Sequence, residues 1–259
     1  MWRTLRIALL LIALATVALT HWRAQSRATA WEHTLHVTLY PINADGRPAT
    51  ARYIDSLSAD DFAPIADWFE AQAKTYGVTL LRPLRVQLAP PLDARPPAPP
   101  PQPQPGMLAA IVWSLHMRYW AWRHDDAPGP HPDIRLFVQY HDPAVSPAVQ
   151  HSVGLEKGLL GLANVFATRH EHGSNLVVIA HEMLHTLGAT DKYHPATLQP
   201  RFPDGYAEPD RSPRYPQMQA EIMGGRIPRS ATQADIPAHL RHTRVGALTA
   251  REIGWTQPR

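Results

Sequence analysis

The chain of 259 residues contains no cysteine. Disulfide frameworks, thiolate zinc sites and a cysteine nucleophile are thereby excluded, and redox chemistry favours neither side of a membrane. A basic surface is also missing, although a pI of 9.3 suggests one. Residues 1–30 carry Arg3, Arg6, Arg23 and Arg27 and no acid; taking those four from 25 basic residues leaves 21 against 22 acidic ones. Residues 31–259 are thus close to neutral and offer no footprint for nucleic acid. Length and a hydrophobic content of 44% suffice for one or two domains with a real core.

Long apolar runs are absent as well, with one exception. Ile7 to Thr20 is apolar apart from its threonines, with Arg3 and Arg6 before it and His21, Trp22 and Arg23 after it. Fourteen helical residues reach about 21 Å against a hydrocarbon core of about 30 Å. Extending the run from Leu5 to Trp22, with Trp2 and Trp22 as interfacial anchors, makes a thin span. Residues 1–30 therefore read as an uncleaved signal anchor. A cleaved secretory signal with Ala28-Thr29-Ala30 as its small-residue site is the alternative, and a buried soluble helix the blandest one. Both export readings place residues 31–259 outside the cytoplasm, in a periplasmic or extracellular setting, tethered in the first case and secreted in the second.

The rest alternates between strand and helix patterns. Trp31 to Tyr40 reads as a half-buried strand, Asn43-Ala44-Asp45-Gly46 as a turn, and Ser58 as the cap of a helix with Phe62, Ile65, Trp68, Phe69 and Tyr76 on one side and Gly77 as its stop. Val78 to Leu88 reads as a second strand, completing a β–α–β unit. The segment Pro90 to Pro105 is more than half proline, so the stretch 89–105 is expected to be an extended spacer, or a docking segment for a proline-binding module. Met107 to Trp122 has a helical pattern with Leu108, Ile111, Val112, Leu115, Tyr119 and Trp122 along one side. Trp113, Met117 and Trp120 make the other side apolar too, which predicts a buried inserted helix; a flap over a cleft or a membrane-resting helix are the alternatives. Asp133 to Tyr140 and Leu159 to Thr168 read as strands. Gly161 weakens the second and marks it as a candidate edge to which a peptide could add. The fold class expected is α/β, with a mixed twisted sheet, a backing helix, a helix bearing the site and an irregular C-terminal part.

That site is the run from His181 to Asp191, H-E-x-x-H-x-x-G-x-x-D. Ser174 or Asn175 can cap a helix from about Leu176 to Leu187, with Leu176, Ala180, Met183 and Leu187 as its core stripe. His181 and His185 are then one turn apart on the same face, a spacing at which two imidazoles converge on one zinc ion. Gly188 permits a left-handed residue at the helix end, so that Asp191 can return as a third ligand. A fourth position is left for water, acidified by the ion, and Glu182 stands near enough to take its proton as it attacks a carbonyl and to pass it to a leaving amine. With 15 His and 8 Glu in the chain, H-E-x-x-H is expected by chance about 0.03 times, and far less often with the Gly and Asp added.

The run resembles the zinc signature of the metzincin metallopeptidases, in the variant whose third ligand is Asp, as in snapalysin-type enzymes. The order of strand, helix, strands, edge strand and motif helix is similar to that family too. The resemblance implies a zincin-like α/β fold, one zinc ion on His181, His185 and Asp191, Glu182 as the catalytic residue, and a peptide or protein substrate. It makes Gly161, Leu162 and Ala163 the substrate-binding edge strand, Met223 in Glu221-Ile222-Met223-Gly224-Gly225 the methionine turn, and Tyr193 part of an Asp-x-Tyr accessory. His194, or Glu208 or Glu221, stand as alternatives to Asp191. The expected activity is that of a zinc metalloendopeptidase attached to a membrane through its N-terminal segment. A zinc-binding scaffold with little turnover and a zinc hydrolase of a non-peptide amide remain the competing readings. Tyr193 to Pro216 is expected to be an irregular loop around the cleft, and Thr249 to Ile253 a short final helix with a capping box from Thr249 to Glu252.

Overall fold

The computed structural model describes residues 23–100, 106–125, 127, 129–146, 153–155 and 159–256, together with Trp2, Arg6, Thr16 and Leu19. The apolar run Ile7–Thr20, apart from two of its residues, and the end of the proline-rich stretch lie outside the described residues. Among the described residues, no helix is long and apolar enough to cross a membrane.

The chain is α/β. In order it forms β1 (Leu35–Asn43), α1 (Pro48–Asp55), a 3₁₀ turn (Ala59–Phe62), α2 (Ala63–Thr75), β2 (Leu84–Leu88) and α3 (Met107–Arg123). There follow β3 (Ile134–His141), β4 (Val153–Leu155), β5 (Leu160–Phe166), α4 (His172–Thr186) and, near the end, α5 (Ala247–Glu252). The strands form one sheet in the order β2-β1-β3-β5-β4, in which β2, β1, β3 and β5 are parallel and β4 runs antiparallel to β5. Parallel strands covered on both faces carry near-continuous apolar runs, and β1 and β3 do so. Odd positions of β1 (Leu35, Val37, Leu39) and Ile134, Leu136, Val138 and Tyr140 of β3 enter the larger core with α1, α2 and α4. Tyr40, Ile42, Phe137, Leu160 and Leu162 point to the other face, where α3 covers them with Met117, Trp120 and Ala121.

The expected β–α–β unit is present, with β1 and β2 paired in parallel. Ser58 caps the 3₁₀ turn in front of α2, its backbone N–H donating to Asp61 at 2.8 Å, and Gly77 ends the unit at φ +80°. Helix α1 was not legible: its eight residues carry too few apolar positions for a periodic signal, and Pro48 at its start is the one clue.

Three expectations are corrected. Helix α3 is buried on only one side, and it is the side of Trp113, Met117 and Trp120 that packs on the sheet; the stripe from Leu108 to Trp122 faces outward. The strand at Leu159–Thr168 is not the sheet edge, because β4 pairs with it, Gly154 opposite Gly161 and Val153 opposite Leu162. Its three residues are too short to leave a period-2 pattern. Gly161 has a different purpose: a Cβ there would stand 2.3 Å from Leu136 Cδ2, 3.5 Å from Thr186 Cγ2 and 3.7 Å from the Glu182 carbonyl. The glycine makes room for the Leu136 side chain of the neighbouring strand β3, while the two α4 atoms lie at ordinary van der Waals distance. Thirdly, Thr249 and Glu252 form no capping box. Helix α5 starts at Ala247, Thr249 donates to Glu221 at 2.7 Å, and Glu252 reaches back to the loop after α4.

Residues 23–30 are helical and dock on the same body. Ala28 is buried, the Thr29 carbonyl lies where a Cβ on Gly254 would stand at 2.3 Å, and the Trp31 indole donates to the Ile253 carbonyl at 2.7 Å. Trp31, Phe69 and Trp255 form an aromatic group beneath them, with centroids 4.9 to 6.0 Å apart.

The close approach at Gly161 is testable. Gly161→Ala should press on the Leu136 side chain and lower stability by about 1–3 kcal/mol in a thermal or urea melt. An unchanged midpoint would mean that Leu136 can change rotamer at no cost.

Candidate metal centre

Helix α4 is longer at its N-terminus than the sequence suggests. Glu171 precedes it, Ser174 lies inside the first turn and donates to the Glu171 carbonyl at 2.9 Å, and Asn175 is no cap. The Asn175 amide instead clasps Phe166 at the end of β5, donating to its carbonyl at 2.7 Å and accepting its N–H at 3.1 Å. This clasp sets the start of the helix against the sheet. The predicted stripe of Leu176, Ala180, Met183 and Leu187 is buried as expected.

At the other end, Gly188 stands at φ +102°, the Gly188 N–H donates to the His185 carbonyl at 3.1 Å, and Ala189 N–H reaches Leu184 at 3.0 Å. These two bonds form a Schellman ending, which reverses the chain within two residues. The reversal brings Asp191 back to the histidines. His181 Nε2 and His185 Nε2 are 3.0 Å apart, and Asp191 Oδ1 lies 3.2 Å from the first and 3.1 Å from the second. Three donor atoms from eleven residues of chain thus form a nearly equilateral triangle.

Each imidazole is oriented from behind. His181 Nδ1 is 2.9 Å from the Ile222 carbonyl and His185 Nδ1 is 2.7 Å from the Ala189 carbonyl. A carbonyl only accepts, so both Nδ1 atoms carry a proton and donate, which leaves the two Nε2 atoms as the ones turned to the triangle and available as ligands to a cation. Two lone pairs and a carboxylate oxygen at these separations repel one another unless positive charge stands among them. The electrostatics agree. Burial works against a charge on His181, but its hydrogen bond to Asp191 and the nearby carboxylates outweigh this and hold it up at about 9. Burial likewise opposes the charge on Asp191, yet the two imidazoles hold its carboxyl far below the usual carboxylate range. A proton on one Nε2 would satisfy one pair of the triangle and leave the other histidine facing the carboxylate. A cation addresses all three.

Glu182 is buried beside the triangle, with an oxygen within 4.8 Å of ligand nitrogens on both histidines. Burial pushes its carboxyl up against the pull of the imidazoles. Among the described residues its Oε2 atom finds no hydrogen-bond partner, which a buried carboxylate oxygen ordinarily has. Tyr193 stands over the other side, its ring centroid 6.4 Å from that of His181, and burial together with the Asp191 charge keeps its hydroxyl protonated.

The alternatives to Asp191 lie elsewhere. His194 is exposed and outside the cluster. Glu208 accepts the Met218 N–H at 3.4 Å and pairs with Arg211. Glu221 is buried, but its carboxylate takes the N–H groups of Gly224 at 2.8 Å and Gly246 at 2.9 Å and the Thr249 hydroxyl, fixing a turn. That turn carries Ile222 and Met223, both fully buried, so the Glu221–Gly225 segment lies directly behind His181 and supplies the carbonyl that orients it. Gly161, Leu162 and Ala163 lie on the strand against α4, paired on their outer side by β4 as far as Leu162, with Leu162 and Ala163 buried.

One part of the site was missed in the sequence. Lys192, next to Asp191, is buried with only 2% of its side chain exposed, and its ammonium donates to Glu252 at 2.6 Å and to the Thr190 carbonyl at 2.7 Å. Glu252 also accepts the Thr190 N–H and hydroxyl, and Arg201 donates to the Asp191 carbonyl. Residues on both sides of Asp191 are therefore tied down, and Lys192 N–H is fixed to the Met223 carbonyl at 2.8 Å. The signal available was a lysine flanking a candidate ligand; its partner lies 60 residues on and leaves no local pattern.

No protein-family model matches the chain, and no curated protein matches it. Among solved structures it is similar to a crystal structure of wild-type OgpA from Akkermansia muciniphila, with a TM-score of 0.39 and 11% sequence identity over 85% of this chain. The chain spans 59% of the length of that structure.

The clamp around Asp191 predicts a measurable loss. Lys192→Met breaks a buried pair, which should cost towards the lower end of about 3–5 kcal/mol because Glu252 keeps its bonds to Thr190. Glu252→Gln, milder for folding, should lower affinity for Zn²⁺ by about 10–100-fold in a competition titration against a chromogenic chelator. Unaltered affinity in a folded Glu252→Gln protein would show that Asp191 needs no such support.

Proposed function

We propose that the chain is a zinc-dependent metalloendopeptidase of zincin-like architecture, with His181, His185 and Asp191 as the metal-holding residues. The observation that carries this reading is the triangle of two lone-pair nitrogens and one carboxylate oxygen beside an orphaned buried carboxylate. Tetrahedral ligands at bond lengths of 2.0–2.2 Å are about 3.3 Å apart, close to the separations seen here. Nitrogen and oxygen donors, with no sulfur in reach, suit zinc at a site that keeps a position open for chemistry. The two backbone carbonyls behind the imidazoles are the kind of outer support such ligands need. The resemblance of residues 181–191 to the metzincin signature points the same way.

A bound zinc ion supplies Lewis acidity, polarising a carbonyl and acidifying water. The chain's own part is proton handling and positioning. Glu182 has an oxygen free to accept a proton from the attacking water, and it returns that proton to the leaving nitrogen as the C–N bond breaks and the new C–O bond forms. Its burial keeps bulk water from competing for that oxygen. Tyr193, protonated and beside the ligands, hydrogen-bonds Asp191 and so helps to hold that carboxylate in place. The substrate class proposed is a peptide or protein. The reading keeps the N-terminal run as an anchor with the domain outside the cytoplasm, a proposal that rests on the sequence pattern of residues 1–30.

Glu182→Ala is expected to keep zinc bound while peptide hydrolysis falls by about 10²–10⁴-fold. Asp191→Ala should lose zinc during dialysis along with activity. Both are read by metal content and by cleavage of a random peptide library with residues 23–259, with and without chelator. Full peptidase activity in Glu182→Ala would falsify the proton-transfer role. Metal retention without any cleavage by the intact chain would instead favour the scaffold reading.

A further inference from the structure

We propose that the outer face of α3 is a docking surface for an anionic lipid bilayer. The inference is independent of the hydrolase reading. Helix α3 is apolar on both sides, but among the described residues only one side packs on the rest of the chain. Trp113, Met117, Trp120 and Ala121 pack on the sheet, and the Trp113 indole donates to the Pro97 carbonyl at 3.0 Å, tying the proline-rich stretch to the helix. Opposite them, Leu108, Ile111, Val112, Leu115, Tyr119 and Trp122 are each at least half exposed. At 100° per residue these six side chains fill an arc of about 100°, without a polar residue inside it. Isolated exposed apolar residues are ordinary; a contiguous stripe of four helical turns is not.

The edges of the stripe identify the occupant. Arg118 borders one side, while His116 and Arg123, both exposed, border the other. The helix from Met107 to Arg123 contains no acid, and Asp125 just beyond it is turned onto Arg135 and Tyr40. Aliphatic side chains fill the middle and Tyr119 and Trp122 one end, beside Arg123. A helix of apolar stripe, interfacial aromatics and basic flanks lies in the headgroup plane, its stripe in the acyl boundary and its cations on anionic headgroups. At 17 residues it does not span. A second copy on the same face is disfavoured by charge, because an antiparallel two-fold pairing would set basic flank against basic flank.

The absence of cysteine makes a clean test possible. In the full chain, Leu115→Cys carries a single nitrobenzoxadiazole label on the stripe, and Leu81→Cys carries it at another exposed site, 82% accessible. On vesicles of phosphatidylglycerol and phosphatidylcholine, the label at 115 should shift to the blue and be quenched by shallow spin-labelled lipid, while the label at 81 keeps its aqueous emission. Adding Arg123→Glu should shrink the shift, as should phosphatidylcholine alone. Three results would overturn the proposal. The chain could sediment with vesicles while the label at 115 stays aqueous, meaning that the N-terminal run alone binds. The label could be shielded without vesicles in a concentration-dependent way, meaning that a second copy covers the face. Or the shift could be equal on both lipid mixtures, meaning that anionic headgroups play no part.

Discussion

The meeting of His181 Nε2, His185 Nε2 and Asp191 Oδ1 within 3.2 Å is the constraint around which the C-terminal half is arranged. Such a cluster opposes folding unless positive charge neutralises it, and its three members cannot drift apart because each is held from behind. The helix turn sets the histidine spacing, the Schellman ending returns the chain, and carbonyls from Ile222 and Ala189 fix both rings. Those carbonyls in turn have to be placed. The Ile222 turn hangs on the buried Glu221 carboxylate, which collects donors from Gly224, Gly246 and Thr249. Burial pushes Glu221 up and those donors pull it back. A buried acceptor with three donors is a rigid joint, and it links the segment behind His181 to the start of α5.

The same helix α5 ends in Glu252, which closes on Lys192 and Thr190 from the other side. One six-residue helix therefore braces the site twice, once through Thr249 and Glu221 and once through Glu252 and Lys192. Losing the second brace would leave the buried Lys192 ammonium without its partner and losing the first would take one of three donors from buried Glu221, so the irregular segment between α4 and α5 can hold one geometry with little regular structure of its own. Glycines at the tight points serve the same end. A Cβ on Gly205 would meet the Lys192 carbonyl at 2.2 Å, and one on Gly224 the Gly205 carbonyl at 2.4 Å.

What could be read in the sequence follows from the range of each interaction. The helix of His181 and His185, its core stripe, its glycine stop and the return of Asp191 all lie within about fifteen residues, so spacing alone conveys them. The β1–α2–β2 unit and β3 were legible for the same reason, each bearing its own period. Long-range partners were not. Thr249 and Glu252 satisfy a local capping rule, yet both are engaged 28 and 62 residues away. Gly161 looks like a weak point in an edge strand, yet its reason is the Leu136 side chain of the neighbouring strand, and the true edge, β4, is three residues long. In α3 the pattern was apolar on both sides, and no periodicity can say which of two apolar faces will find the sheet. The wider face carries six large side chains, but the narrower one has Trp113, Met117 and Trp120, which fill the gap above Phe137 and Leu162.

That choice of face separates two surfaces of the molecule. The sheet has α4, the helix of His181 and His185, on one side and α3 on the other, joined through strands whose alternate residues enter different cores. Phe137 meets Trp120 edge to face while its neighbours Leu136 and Val138 pack towards α4, so one strand supports both layers without sharing a side chain between them. A bilayer held on the outer face of α3 would therefore meet the sheet from the side away from His181, Glu182 and Asp191. Lipid contact and the proposed chemistry would not compete for surface, and a substrate could reach the triangle from solvent while the opposite layer rests on the membrane. The N-terminal helix 23–30 docks near Gly188 and Gly254, at the end of α4 and α5 rather than on α3, so an attachment through the leader and one through α3 would act at separate points. Two such points would together fix the orientation of the domain over a bilayer.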